Sequence, residues 1–278
     1  MIDRRMVLAG GAGLFVLPRA VRAQDTRFSF AGSIKQGGLV IGRVAGAAAV
    51  AAGDQQVRVS PDGLFAFGFG RDETKAMTIR ARFADGTTQT ATLTPETREY
   101  DIQRIEGLPD KYVSPPQDVR DRIKRDSAAV GAARAHDSAM TFFAERIDWP
   151  VAGPISGVYG SQRILNGEAR RPHFGVDIAA PEGADIVAPA GGIVRLADDL
   201  YFSGNTVVID HGHGISTSYL HMSRLDIETG QPLARGQTIG AIGHTGRATG
   251  PHLCWRMNWF QERLDPALSA GPAPGSRA

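Results

Sequence analysis

Residues 171–187 read RPHFGVDIAAPEGADIV, residues 217–223 read TSYLHMS and residues 249–258 read TGPHLCWRMN. Together they hold His173, Asp177, His221, His252 and Cys254, side chains able to bind a metal or move a proton. His173 and Asp177 stand four apart. On a straight strand their side chains would lie about 13 Å from each other, too far to share one ion. A helix would bring them together, but Pro172 and Gly175 argue against one. That leaves a bend at Gly175, which glycine adopts at little steric cost. His252 and Cys254 follow the other periodicity. Two apart on a strand, they face one side about 6–7 Å apart, so one could hold a metal while the other faces a reacting group. Thr217, Tyr219 and His221 alternate onto one face in the same way. The plain alternative for His221 is an imidazole satisfied by a backbone carbonyl.

Working outward, the chain is expected to be mainly β. From Pro150 onward, ISGVYG, DIVAPA, GIVRLA, TVVIDH, ISTSYL, QTIGAIG and HLCWRMN are all of strand length between Gly-rich turns. Upstream, from about residue 28 to 105, GGLVIGRV, QQVRVS, LFAFGF, AMTIRARF and TQTATL repeat the pattern around turns at Ser60-Pro61-Asp62-Gly63 and Ala84-Asp85-Gly86. This predicts a small β-sandwich or barrel without a histidine, suited to binding or positioning. Gly107 to Pro116 reads as a linker, and residues 117–147 as a helix weakened at Gly131 and stopped by Trp149-Pro150. The expected organisation is an export signal over 1–23, a β domain over 24–106, linker and helix over 107–149, a compact antiparallel β-sheet domain over 150–270 and a flexible tail over 271–278.

Composition narrows the function. The 278 residues carry 31 Lys and Arg against 29 Asp and Glu, and no basic block suggests nucleic acid. Arg4 and Arg5, the apolar run from Met6 to Leu17 and Val21-Arg22-Ala23 read as a cleavable signal of the Sec or twin-arginine kind, which points to the periplasm. The run is too short to span a membrane, which takes about 20 apolar residues, and no cysteine follows it as a lipid anchor would need. With one cysteine in the chain no internal disulfide can form, and in an oxidising compartment Cys254 should be buried or bound. Among the other histidines, His136 is expected on the surface of the helix. His211 and His213, set among glycines, are expected in a solvated turn, and His244 in a loop near the site mouth. Arg163 and Asn166 are placed near the cleft only by their proximity to His173.

The order HxxxD, a separate histidine within SYLHMS and a final HxC, with Gly-rich spacers, resembles the lysostaphin/LytM-type zinc metallopeptidases that cut peptidoglycan cross-links. The resemblance spans about residues 151 to 267. It implies a compact antiparallel β-sheet domain holding one zinc ion, with His173 and Asp177 as ligands and His221 and His252 flanking the scissile carbonyl. The third ligand of the family closes an HxH motif, and here that position is Cys254. A thiolate binds zinc well. It also lowers the formal charge of the ligated site from about +1 to about 0, so water is acidified less than in an HxH relative.

The resemblance therefore implies an exported zinc endopeptidase acting on peptide cross-links. A second reading is a degenerate domain that binds peptidoglycan or activates another cell-wall hydrolase. A third is a wall-binding structural protein with Cys254 as a buried small residue.

Overall fold

The computed structural model describes residues 27–105, 116–165, 167–169 and 171–273. The expected signal, most of the linker, Asn166, the side chain of Arg163 and the last five residues lie outside that description. The upstream region runs β1 (Phe28–Gly32), β2 (Leu39–Val44), β3 (Ala47–Ala52), β4 (Gln55–Val57), β5 (Leu64–Gly68), β6 (Met77–Phe83), β7 (Thr88–Leu93) and β8 (Ile102–Ile105). One helix follows, α1 (Arg120–Arg134). Then come β9 (Ile155–Gly157), β10 (Gln162–Leu165), β11 (Glu168–Ala169), β12 (Val176–Ala179), β13 (Asp185–Val187), β14 (Gly192–Leu200), β15 (Gly204–Gly212) and β16 (Ile215–Met222). The chain closes with β17 (Arg224–Leu225), β18 (Pro232–Leu233), β19 (Thr238–Ala241), β20 (His252–Trp259) and β21 (Glu262–Leu264). The molecule is mainly β, as the turn-rich sequence predicts.

Upstream, β1-β2-β5 and β4-β3-β6-β7 form two antiparallel sheets. Their inward residues, among them Val40, Phe65, Phe67, Val50 and Ile79, share one core, which makes the arrangement a sandwich. Phe30, Phe65 and Phe67 fill it with edge-on ring contacts near 6.3 Å, a favoured aromatic geometry. The core continues without a break into the downstream sheet. At the junction Gly68 lies against Leu264, and a Cβ there would come within 2.5 Å of the leucine side chain.

Downstream, a sheet of eight strands has the order β18-β14-β15-β16-β20-β12-β9, with β21 on β20. A second small sheet, β13-β19-β17, lies beside it. Every residue of β16 is buried. Strands covered on both faces lose the polar–apolar alternation of an exposed sheet. The short strand β12 carries too few residues to announce itself by pattern, yet it sits between β20 and β9. It pairs in a register that sets Asp177 directly opposite Cys254.

Two expectations need correction here. The predicted helix over 117–147 is shorter: α1 ends at Arg134, and residues 142–144 form only a 3-10 turn. Gly131 does not break it, because a helix of good formers tolerates one glycine at a cost of about 1 kcal/mol. His136 is exposed as expected but lies beyond the helix end. The second correction concerns His211 and His213, which are 0% and 3% exposed rather than solvated. Strand β15 runs through His211, and the segment after α1 packs over the turn so closely that a Cβ on Gly212 would meet Met140 O at 1.7 Å.

Candidate metal centre

Three strands and a bend build the site. His173 precedes β12, its backbone held by exchange with the strand-flanking turn before it: Gly160 N–H donates to His173 O at 2.7 Å, and His173 N–H to Ser161 O at 2.8 Å. The chain bends at Gly175, as the HxxxD spacing requires. The reason for glycine there is different from the one expected. Gly175 does not adopt positive φ; it admits β20, since a Cβ would stand 2.7 Å from Arg256 Cγ and 3.3 Å from Cys254 Sγ. Gly157 on β9 does the same for the carboxylate, where a Cβ would lie 2.5 Å from Asp177 Oδ2.

The result is one compact donor set. His173 Nε2 is 3.1 Å from Asp177 Oδ1 and 3.3 Å from Cys254 Sγ. All three donor atoms lie within 4.8 Å of one another, and all three residues are buried. Bond lengths of about 2.0–2.3 Å in a tetrahedral arrangement put ligand atoms about 3.3–3.6 Å apart. The set therefore fits one zinc-sized ion with small adjustments. Among the described residues it is the single such group.

His221 reaches the site by a route the strand pattern does not give. Alternation along β16 would leave it on the face of Thr217 and Tyr219. Those two hydroxyls instead hydrogen bond to each other at 2.8 Å and, through Thr217, to His211 Nε2 at 2.7 Å. His221 breaks the alternation with φ of 68°, a left-handed conformation that costs an L-residue about 1–2 kcal/mol. Its backbone N–H, donating to Ser203 O at 2.8 Å, helps hold it there. The imidazole then packs beside His252 with ring centroids 4.9 Å apart.

Both rings are oriented by carbonyls. His221 Nδ1 donates to Thr245 O at 2.8 Å, and His252 Nδ1 donates to Gly250 O at 2.8 Å. A carbonyl only accepts, so the Nδ1 atoms carry the protons and the neutral rings keep a lone pair on Nε2. The backbone carbonyl expected of a plain structural histidine is thus present at His221, and it leaves the lone pair on Nε2. Burial, reinforced by the neighbouring His252, pushes the His221 pKa down to about 3. His252 is half-buried, with Nε2 4.0 Å from Asp177 Oδ1.

The sequence reading missed Arg256. It lies two residues after Cys254 on the same face of β20, and its Nε donates to Sγ at 3.3 Å. Burial disfavours its charge, but the Cys254 sulfur and the Asp177 carboxylate outweigh that and raise its pKa. The period-two argument applied to His252 and Cys254 would have found it one step further on. His244 is exposed in its loop, as expected, and pairs with Glu182 at 3.2 Å. The geometry offers no metal site at His211 and His213.

A β-sheet domain that gathers a histidine, an aspartate and a third soft donor beneath two imidazoles has the make-up of a metallopeptidase domain. Residues 171–266 match the model for Peptidase family M23. The chain carries a domain of that family. It is 34% identical to the peptidoglycan DD-endopeptidase ShyC of Vibrio cholerae over 176 residues, 63% of this chain and 33% of the relative. It is 43% identical to the peptidoglycan DD-endopeptidase ShyA of the same organism over 86 residues, 31% of this chain and 20% of the relative. The match thus spans a third or less of either relative. A crystal structure from Pseudomonas aeruginosa, described provisionally as an M23 peptidase, superposes with a TM-score of 0.66 at 28% identity, covering 86% of this chain and 96% of that one. Among the described residues no helix is long and apolar enough to cross a membrane.

Proposed function

We propose that this protein is an exported zinc-dependent endopeptidase that hydrolyses the peptide cross-links of peptidoglycan in the periplasm. The observation that carries the reading is the convergence of His173 Nε2, Asp177 Oδ1 and Cys254 Sγ beside two imidazoles that both present a lone pair. His173, Asp177 and Cys254 would hold the ion. When bound, zinc supplies a Lewis acid for the scissile carbonyl and acidifies water. His221 Nε2, neutral at any pH well above 3, is suited to accept a proton from the attacking water. The proton held on His221 Nε2 is then available to the leaving amine, and His252, nearer the surface and beside Asp177, is suited to stabilise the developing oxyanion when its Nε2 carries a second proton. We further propose that residues 24–106 form a carrier domain and residues 150–270 the catalytic one.

Cys254 lowers the formal charge of the ligand set, and Arg256 places a positive charge against the same sulfur. Arg256 is thus positioned to offset part of what the thiolate removes. A domain that only bound the wall would have no use for a strained His221 packed against His252 beside the three donors, and this favours cutting over the non-hydrolytic alternative. Zinc analysis of the purified protein, with digestion of cross-linked muropeptides followed by chromatography, tests the proposal. One zinc per chain and appearance of uncross-linked products support it. Near-zero zinc at micromolar supply, or no product from the zinc-loaded protein, refutes it.

A further inference from the structure

The concave surface beside His221 continues into a cavity of about 510 Å³ between α1 and the large sheet. Five arginines line it: Arg134, Arg171, Arg247, Arg256 and Arg263. They come from five separate places in the fold: the last turn of α1, the segment before His173, the loop after β19, strand β20 and strand β21. The acid on the wall, Asp126, accepts from Tyr201 N–H at 2.7 Å and lies 3.8 Å from Arg122. Glu262 acts on Arg263 from its own strand but is exposed.

Arg134 is the telling member. Its residue is 5% exposed, and its Nε is buried without a hydrogen-bond partner. The charges that act on it are those of Arg263 and Arg256, both positive. Burial, with those neighbours adding to it, pushes its pKa well below the usual arginine value. Arg263 is likewise pushed down to about 10 by burial and by Arg256 and Arg171. Burying a guanidinium among like charges is costly unless something pairs with it. An anion entering the cavity would supply that pairing, and arginine forks suit a carboxylate in particular. A cross-link peptide offers carboxylates within a few bonds of the bond to be cut.

We propose that this arginine-lined cavity is the subsite for a carboxylate group of the peptide substrate, placed so that the adjoining peptide bond runs past His221. This deepens the hydrolase reading and rests on it for the identity of the peptide. The cavity selects peptides with a free carboxylate over their carboxamides, and Arg134 anchors that selection. Arg134 is a binding residue here, not a catalytic one.

The test uses the full chain and a fluorescent cross-linked peptide dimer whose linking bond is reduced and cannot be cut, prepared as the free acid and as the carboxamide. Anisotropy should show the acid binding about 10–100-fold tighter, the range of one or two charge-assisted hydrogen bonds. Arg134→Gln and Arg263→Gln should each erode that preference. Because Arg134 is repelled where it sits, Arg134→Gln should melt no lower than the native protein, which separates lost recognition from lost folding. Equal binding of acid and amide, no binding of either, or a preference surviving in both variants overturns the subsite. Cleavage of the ordinary dimer is followed in parallel. A protein that prefers the acid but never cuts keeps the subsite and loses the hydrolase reading. One that cuts both forms equally keeps the hydrolase and loses the subsite.

Discussion

The large sheet contains two motifs with the same spacing, His211-Gly212-His213 and His252-Leu253-Cys254. One is a structural plug and the other contributes Cys254 to the candidate metal centre. The difference lies in the middle residue. Leu253 keeps β20 extended, so His252 and Cys254 share a face and Cys254 meets Asp177 across the register. Gly212 adopts φ of 99° and His213 φ of 49°, so the chain turns and the two imidazoles part. His211 is then consumed internally: Nδ1 donates to Gly191 O at 2.7 Å, and Nε2 accepts from Thr217 Oγ1 at 2.7 Å. His213 packs on Phe143 with ring centroids 4.7 Å apart. Spacing makes a candidate, and backbone conformation decides it.

The contrast can be broken most forcefully at the ligands. Asp177→Ala should abolish both zinc binding and muropeptide cleavage, because two remaining protein ligands do not make a catalytic zinc site. His211→Ala should leave the zinc content at one per chain, and zinc loss in that variant would mean the two motifs are not distinct. Next in size, His252→Ala should lower kcat by about 10²–10⁴-fold, the usual share of a positioned acid–base group, while metal analysis still finds zinc. Loss of the metal instead would make His252 a ligand. A smaller effect, about tenfold in kcat/KM, is expected from Cys254→His, which restores the formal charge of the site. An unchanged or lower rate would count against the charge argument and toward Arg256 as a sufficient offset.

The smallest effect is on stability, and it belongs to the plug. Burial, partly opposed by the Gly191 carbonyl, lowers the pKa of His211 below 6.5, and burial lowers that of His221 to about 3. Below about pH 6.5 the unfolded chain takes up protons that these folded residues refuse. Their contribution is therefore present in full above that pH and is lost progressively as the pH falls toward the folded values. Denaturant melts across this range should show stability declining with acid, and His211→Asn should flatten the slope. A slope unchanged in that variant would remove His211 from the account.

Much of this was legible in the residues. HxxxD, SYLHMS and HLCW pointed to the five residues that the structure brings together, and strand-length apolar runs between turns found most strands of both regions. What escaped was set by tertiary contact. The left-handed turn at His221 is dictated by Ser203 and Thr245, which lie 18 and 24 positions away and leave no local mark. Gly175 looks like a turn former, and only the approach of β20 shows that it is a clearance, as Gly157 is for the Asp177 carboxylate. His211 looked solvated because its neighbours are glycines. Gly212 instead admits the Met140 backbone, which covers the turn, and Gly214 admits the Phe260 ring.

The register of β12 against β20 has one more consequence, which concerns the order of events. His173 and Cys254 are 81 positions apart in the chain, yet a core of Ile178, Leu253 and Trp255 holds their strands together. Closing a loop of that length costs a flexible chain several kcal/mol of entropy, and hydrophobic burial along these strands opposes that cost without drawing on an ion. A zinc finger works the other way round, with the ion doing the folding. In this protein a chelator should empty the site and leave the sheet standing.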